Sequence, residues 1–450
     1  MRSHQAFRFA LAPNNAQRSA LASHAGAARF VFNWGLALVK ARLDARLVDG
    51  SGVVPWSLPA LRREWNQVKG DVAPWWAENS KEAYSSGLDA LARGLRAFAD
   101  SKRGKRQGRP VGFPRFRKKG RGRRSCRFTT GSIGVVDDRH VRLPRIGVVR
   151  TAEATGKLAG RLAAGTARIL SASIVEDAGR WFVSFTCEVD RGRPWPAPAG
   201  PIVGVDVGVR HLAVVAGPKT APVLVANPRP LGRYQRRMAR LQRELGRRRP
   251  GSNRRAVTRA RLARCHRRVR DVRHDQMAKL TTSLARTHAV VVVEDLNVAG
   301  MTRRAHGKGR AGKAGLNRAV LDAALAELRR QLTYKCAWSG GRLVVADRWH
   351  PSSKTCSACG RRTPSLPLSV RVFQCAMCGL ILDRDHNAAR NLAKVAVAAS
   401  AAETGNGRGG AVRPPSVCSD GGSFAEASTG RPAHAGSSPG ALGLDPRSST

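Results

Sequence analysis

The sequence predicts an α/β protein of several domains, and three observations lead to that prediction. Two uninterrupted apolar segments each end in an acid, 202–205 before Asp206 and 290–293 before Glu294. A third acid, Asp385, opens a segment with helical character. Four cysteines stand between the last two acids: Cys356, Cys359, Cys375 and Cys378. Carboxylates at the ends of buried strands and at a helix start are how a ribonuclease-H-type fold gathers divalent cations.

The charge of the chain predicts a polyanionic partner. Its 450 residues carry 80 Lys+Arg against 30 Asp+Glu, a formal net charge of +50. The segment 399–450 holds four acids and four arginines, so the whole excess lies in 1–398. A field of that size attracts nucleic acid, and arginine suits bidentate contacts with phosphate. A GC-rich genome also raises arginine content, but it does not cluster the arginines.

The basic residues are concentrated in two segments. Residues 102–127 hold thirteen basic residues and no acid, with phenylalanines at 113, 116 and 128 interleaved or just beyond. Such a segment suits a nucleic-acid backbone with stacked bases, and a solvated loop is the alternative. Residues 229–273 hold 18 arginines and two acids. They predict an antiparallel helix pair, 231–247 and 254–287, whose charge imbalance favours a nucleic-acid groove over a protein-only coiled coil.

The remaining elements follow from periodicity and turn residues. We expect strands at 5–12, 202–208, 211–216 and 343–346 and within 133–190, where the strands could form a small barrel with the first one. We expect helices at 16–48, 58–69, 78–99, 319–337 and 386–398. The proline-rich segment 191–200 predicts a linker, and 301–315 predicts a mobile loop. The composition of 399–450 predicts a disordered tail.

The cysteine quartet predicts a structural zinc site. Its spacing is Cys-x2-Cys-x15-Cys-x2-Cys, and a glycine follows each second cysteine, Gly360 and Gly379. Four thiolates leave no open coordination position, which is typical of structural zinc. The other five cysteines are scattered, so a secreted disulfide framework does not fit. No apolar stretch of about 18 residues occurs, and we expect a cytoplasmic, nucleoid-associated protein without a membrane span.

Each acid alone has a structural alternative. Asp206 could cap a hairpin turn, Glu294 could be a solvated strand end, and Asp383 with Asp385 could cap the following helix. Together the acids predict a site for two magnesium ions roughly 4 Å apart. The sequence leaves open whether Asp383 or Asp385 is the third ligand.

The ordered motifs resemble the TnpB family, which insertion sequences carry and which is related to type V CRISPR effectors. The motifs that carry the resemblance are 29–34, 113–117, 143–147, 204–208, 293–296, 352–360 and 383–391. The resemblance covers residues 5–398 and implies that the catalytic acids are Asp206, Glu294 and Asp385. It implies an RNA-guided DNA endonuclease whose partners are a guide RNA and double-stranded target DNA, with a possible link to a small tyrosine transposase.

The resemblance also implies the domain organisation. A RuvC-like nuclease domain would contain an inserted zinc ribbon, and an N-terminal wedge-type β-barrel would contain an inserted helical recognition lobe. The expected bounds are 1–12 and 101–190 for the barrel, 13–100 for the lobe, 201–355 and 380–398 for the nuclease, and 356–379 for the ribbon. Two other functions stay open: an RNA-guided DNA-binding regulator without cleavage, and a DNA-strand transposase that joins ends directly.

Overall fold

The computed structural model of the chain describes residues 2–50, 53–120, 122–192, 198–304, 309–367 and 369–405. Most of the predicted tail, 406–450, and residues 193–197 of the predicted linker lie outside these ranges. No helix of the described residues is both long enough and apolar enough to cross a membrane.

The described part of the N-terminal half consists of one long helix, three shorter α-helices, a 3₁₀ helix and antiparallel strands. In chain order the elements are β1 (Arg2–Ala10), α1 (Asn15–Asp49), α2 (Leu58–Val72), a 3₁₀ helix (Pro74–Glu78), α3 (Lys81–Lys102), β2 (Arg124–Phe128), β3 (Gly134–Asp137), β4 (His140–Leu143), β5 (Gly147–Arg150), α4 (Gly156–Ala163), β6 (Ala167–Asp177) and β7 (Arg180–Asp190). Local sequence sets the ends of α1: Asn14 and Gln17 form a capping box, and Gly50 adopts the left-handed conformation that ends the helix.

The strands of this half form two antiparallel sheets, one in the order β1-β7-β6-β2 and one in the order β3-β4-β5. The chain just after β1 joins them, since Leu11 N–H donates to the Trp181 carbonyl and Ala12 N–H to the Arg150 carbonyl, both at 2.8 Å. A single hydrophobic core contains side chains from α1 to α4 and from six of the strands. Helices α1 and α3 cross closely at Gly87 of α3. A Cβ at this position would stand 2.3 Å from the Ala28 carbonyl oxygen of α1, so only glycine fits at position 87.

The C-terminal half contains a mixed sheet, a helical hairpin and a small two-stranded sheet. In chain order the elements are β8 (Ile202–Val207), β9 (His211–Ala216), β10 (Val223–Ala226), α5 (Pro230–Arg247), α6 (Asn253–Thr287), β11 (Val290–Glu294), α7 (Val298–Met301), α8 (Arg310–Ala323), α9 (Leu325–Trp338), β12 (Arg342–Ala346), β13 (Val372–Gln374), β14 (Ile381–Asp383) and α10 (Arg384–Gly405). The predicted hairpin 202–216 and the predicted helix pair are present with nearly the expected ends. The last helix runs to Gly405, seven residues into the predicted tail.

The five strands of the mixed sheet follow the order β10-β9-β8-β11-β12. The pairs β8–β9 and β9–β10 are antiparallel, whereas β11 is parallel to both β8 and β12. Helix α10 covers one face through Leu392 and Ala396, and α6, α8 and α9 cover the other. Burial on both faces explains why 202–205 and 290–293 are apolar without alternation.

The prediction of a loop at 301–315 and one helix at 319–337 was wrong in its bounds. Residues 305–308 of the predicted loop lie outside the described ranges. Helix α8 already begins at Arg310, and the chain breaks between α8 and α9 at Ala324, whose φ of 52° is left-handed. Neither glycine nor asparagine marks the break. Just before the break, the buried Asp322 carboxylate accepts hydrogen bonds from Leu231 N–H at the start of α5 and from the Arg273 guanidinium of α6. Those partners are distant in sequence.

Candidate functional site

Two of the three predicted acids lie side by side at one edge of the mixed sheet. Strands β8 and β11 are parallel neighbours with Val205 opposite Val293. The next residues, Asp206 and Glu294, therefore stand at the same end of adjacent strands. Both are half-buried.

Helix α10 brings the third acid to this edge through a close crossing with β8. A Cβ on Gly204 would stand 2.0 Å from the Ala389 carbonyl oxygen and 2.6 Å from the Ala393 backbone nitrogen. Only glycine allows this approach, and Asp385 in the first turn of α10 is positioned by it. The glycine two residues before Asp206 thus serves the site through packing.

Replacing Gly204 by alanine should destabilise the protein by about 2 kcal/mol or more, because a methyl group would meet backbone atoms that cannot rotate away. Thermal melting measures the effect. Gly246→Ala is the matched control, since nothing lies within 4 Å of a Cβ at this position on α5 and alanine favours the helix. Equal melting temperatures for Gly204→Ala and the wild type would show that α10 does not cross β8 so closely.

The structure separates the roles of Asp383 and Asp385. The Asp383 carboxylate accepts hydrogen bonds from the backbone N–H groups of Asp385, at 2.9 Å, and His386, at 3.3 Å, and it lies 3.6 Å from Arg210. Asp383 therefore caps α10. No hydrogen bond from a described residue reaches the side chain of Asp385 or of Asp206, so both carboxylates are available for another partner.

The three acids form a cluster of like charge. Burial raises the pKa of Asp206 well above its usual range, and the charges of Glu294 and then Asp385 raise it further, while Arg384 opposes the shift. The acid beside Glu294 differs, because Arg348 and Arg329 both pair with Asp295 and lower its pKa. Two arginines therefore pair with the Asp295 carboxylate, whereas no described arginine or lysine forms an ion pair with Asp206, Glu294 or Asp385.

Two asparagines connect α10 to Glu294, and sequence reasoning missed their role. Asn391 donates from Nδ2 to the carbonyls of Ser352, at 2.7 Å, and Thr355, at 2.6 Å, and Asn387 donates to the same Thr355 carbonyl at 2.7 Å. The Ser352 hydroxyl in turn donates to the Glu294 carboxylate. Both asparagines are buried. Their spacing of four residues on one helix face was the available signal, since a buried amide needs partners.

The four predicted cysteines come together in one cluster. Their sulfur atoms lie within 4.8 Å of one another, and they are the one group in the described part of the chain found with metal-binding spacing. Cys356 and Cys378 are 3.6 Å apart at Sγ, as are Cys359 and Cys375. The glycines that follow, Gly360 and Gly379, have φ of 79° and 72°. Each glycine lets the backbone turn around the sulfurs.

The protonation of the thiols also indicates a cation site. The backbone N–H groups of Cys378 and Met377 lower the pKa of Cys375 to about 6. The Leu380 N–H favours the Cys378 thiolate, but burial and the three neighbouring sulfurs outweigh it and raise the pKa of Cys378 to about 11. Four thiolates cannot coexist in this space without a cation, so these residues could hold a metal ion.

Comparison with known proteins places the chain in a family. A family described as "Probable transposase" matches residues 184–305, one described as "Cas12f1-like, TNB domain" matches 326–392, and one described as "Helix-turn-helix domain" matches 1–46. The chain is 43% identical over 400 residues to "Putative RNA-guided DNA endonuclease Rv2885c" of Mycobacterium tuberculosis, covering 87% of this chain and 86% of that protein. It is 30% identical to "Putative RNA-guided DNA endonuclease InsQ" of Escherichia coli, covering 86% and 91%.

A shorter match names the group. Over 134 residues the chain is 31% identical to "TnpB-like protein L79" of Acanthamoeba polyphaga mimivirus, covering 30% of this chain and 25% of that protein. The chain belongs to the TnpB family.

The family matches fall on the site residues. The first covers Asp206 and Glu294, and the second covers the four cysteines and Asp385. The match to the family described as "Helix-turn-helix domain" falls on β1 and on α1. In this TnpB-family chain α1 is one continuous helix. Among solved structures the chain aligns with "Cryo-EM structure of the Cas12f1-sgRNA-target DNA complex" at a TM-score of 0.31 and 15% identity, covering 87% of this chain and 99% of that one.

The arginine hairpin, formed by α5 and α6, gives this TnpB-family protein an extended basic surface. Its seam is apolar and includes Met238, Leu241, Cys265 and Val269. Exposed arginines cover the outside of both helices: Arg233, Arg236, Arg237, Arg240, Arg243, Arg247, Arg259, Arg261, Arg264 and Arg268. Arg267 donates to the Asp177 carbonyl at 3.0 Å, which fixes the hairpin against the end of β6.

The basic segment 102–127 is not a freely solvated loop throughout. Arg117 exchanges two backbone hydrogen bonds with the Asn33 side chain on α1, at 2.8 and 3.0 Å, and its guanidinium lies 3.6 Å from the Phe32 ring centroid. Of the three phenylalanines associated with the segment, Phe128 is fully buried and belongs to the core. Phe116 keeps 49% of its surface exposed, so it retains a face on which a base could stack.

Proposed function

We propose that this chain is an RNA-guided DNA endonuclease whose RuvC-like domain cuts phosphodiester bonds at Asp206, Glu294 and Asp385. One observation carries the proposal: the acids meet at one sheet edge, where burial of Asp206 and then the charges of Glu294 and Asp385 raise its pKa, on a chain whose net charge is +50. A cluster of negative charge inside a strongly positive protein is suited to bind cations and a phosphate backbone together.

The donor set fits magnesium, which prefers hard oxygen ligands and shares its coordination shell with water and phosphate. Asp206, Glu294 and Asp385 would hold two ions, which when bound would activate water and stabilise the leaving oxygen. The protein prepares the ligands: Ser352 orients Glu294 by its hydrogen bond, and burial at the sheet edge limits access of bulk water. Asp383 holds the start of α10 and thereby Asp385.

The cysteine cluster would hold one structural zinc ion, since four sulfurs leave no coordination position for substrate. The segment 352–357 joins this ribbon to α10 through Asn387 and Asn391. Zinc would therefore support the site indirectly, by fixing the segment that carries Ser352.

The proposed domains follow the predicted bounds. The mixed sheet packs against α10, which supports a nuclease domain formed by 201–355 and 380–398 with a ribbon inserted at 356–379. The N-terminal strands and helices would form the wedge-type barrel and the recognition lobe. The arginine hairpin and the segment 102–127 would bind the backbones of the guide RNA and of its duplex with DNA, while base pairing selects the target. The link to a small tyrosine transposase stays a prediction from the resemblance.

The bound nucleic acid tests the proposal. The full chain is expressed with its flanking DNA, purified, and its bound nucleic acid treated with ribonuclease or deoxyribonuclease and sequenced. We expect RNA, and we expect the complex with magnesium to cut a DNA duplex matching that RNA. Joining of DNA ends without bound RNA would indicate the transposase, and tight guided binding without cutting under any divalent cation would indicate the regulator.

A further inference from the structure

Trp349 is an exposed aromatic side chain beside the acidic site. It keeps 84% of its surface exposed, against 49% for Phe116 and 38% for Trp56, and no other aromatic residue in the described ranges is as exposed. No aromatic ring or cation of the described residues stacks on its indole. Leaving an indole in water forgoes a large favourable burial, which is expected where the ring serves a binding partner.

The loop that carries Trp349 is fixed on both sides of the indole. The Asp347 side chain accepts a hydrogen bond from Trp349 N–H at 2.8 Å, and the Asp347 carbonyl accepts one from His350 N–H at 3.0 Å. Arg348 binds the Asp295 carboxylate at 2.8 Å. The indole is therefore presented by an ordered turn.

Both ends of this loop meet Glu294. Ala346, the last residue of β12, pairs with Glu294 in the sheet, and the Ser352 hydroxyl donates to the Glu294 carboxylate. Trp349 is three residues from each, and three residues span at most roughly 11 Å. The backbone of Trp349 consequently lies within roughly 11 Å of both residues that meet Glu294, which places this exposed residue in the neighbourhood of the carboxylates.

We propose that Trp349 stacks on a base of single-stranded DNA beside the scissile phosphate and positions that phosphate at the carboxylates. The inference rests on the proposed function and adds a base-binding subsite to it. Ions held by carboxylates contact phosphates, which repeat identically along a strand, whereas a stacked base fixes which phosphate lies at the acids. Every base has a π face, so stacking tolerates any sequence, as a guided nuclease requires.

The test compares Trp349→Ala, Trp349→Phe and the matched control Trp56→Ala in the full ribonucleoprotein, on targets that lack one base at successive positions around the cut. Trp349→Ala should lower kcat/KM by roughly tenfold, the effect of losing one stacked base, and Trp349→Phe should restore most of it. In the wild type, removing the base at one position of the target should lower kcat/KM by a similar factor. In Trp349→Ala, removing the base at that position should not lower kcat/KM any further. The control should keep the abasic penalty.

A second measurement does not need cleavage. A short oligothymidylate containing one fluorescent adenine analogue is added with calcium in place of magnesium, and we expect quenching that Trp349→Ala abolishes and Trp349→Phe retains. The inference would be overturned by equal abasic penalties in the wild type and Trp349→Ala, or by quenching that Trp349→Ala leaves unchanged. Either result is expected if Trp349 binds a protein partner and not a base. If the wild type does not cut yet quenching depends on Trp349, the proposed cleavage fails and the base subsite stands.

Discussion

Cleavage of target DNA should be lost when Asp206, Glu294 or Asp385 is replaced by alanine, while RNA-guided binding of DNA stays close to that of the wild type. The three carboxylates accept no hydrogen bond from a cation among the described residues, and burial together with the charges of Glu294 and Asp385 raises the pKa of Asp206. Their removal would abolish magnesium binding and leave the basic surfaces intact. We expect a loss well beyond a hundredfold, because removing residues that merely orient a metal ligand already costs about 10–100-fold.

The variants that surround these acids sharpen the test. Ser352→Ala should cost about 10–100-fold, because Ser352 orients Glu294 without being a ligand itself. Asp275→Ala on α6 is the matched control, an exposed acid that pairs with Lys279 at 2.8 Å, and it should cut like the wild type. Gel assays of cutting and of guided binding measure both properties. Normal cutting by Asp385→Ala together with an inactive Asp383→Asn would reverse the assignment of that pair, and normal cutting by all three alanine variants would end the nuclease proposal.

Replacing Cys375 by serine should remove the bound zinc and unfold the ribbon. A structural zinc ion contributes on the order of 10 kcal/mol of folding free energy in small zinc peptides, and Cys375 is the thiol whose pKa the backbone lowers to about 6. Serine supplies no thiolate. Unfolding of the ribbon should also release the segment 352–357 and with it Ser352, so cleavage should fall as well.

Metal analysis and thermal melting check this expectation. The wild type should contain one zinc per chain, and a chelator should reproduce the effect of Cys375→Ser until zinc is added back. Cys265→Ala serves as the control, because this cysteine lies in the seam of the arginine hairpin and its loss should leave the zinc content unchanged. A Cys375→Ser protein that melts like the wild type would contradict a structural metal site.

The sequence by itself determined the parts that local patterns encode. Apolar runs ending in Asp206 and Glu294 and a quartet of cysteines with fixed spacing are each readable within a short stretch of sequence. The family motifs were equally readable, and the comparison with relatives confirmed the family. These patterns predicted which elements form and which residues deserve testing as ligands.

Only the tertiary structure decided between residues that look alike in sequence. Asp383 became a helix cap and Asp385 did not; Asp295 acquired two arginines while Glu294 acquired the Ser352 hydroxyl. Phe128 went into the core while Phe116 stayed exposed. In each case the deciding partner is remote in the chain or depends on how two elements cross, as α10 and β8 do at Gly204. Periodicity and capping report contacts within about four residues, so they cannot show which charge a distant helix or loop will satisfy.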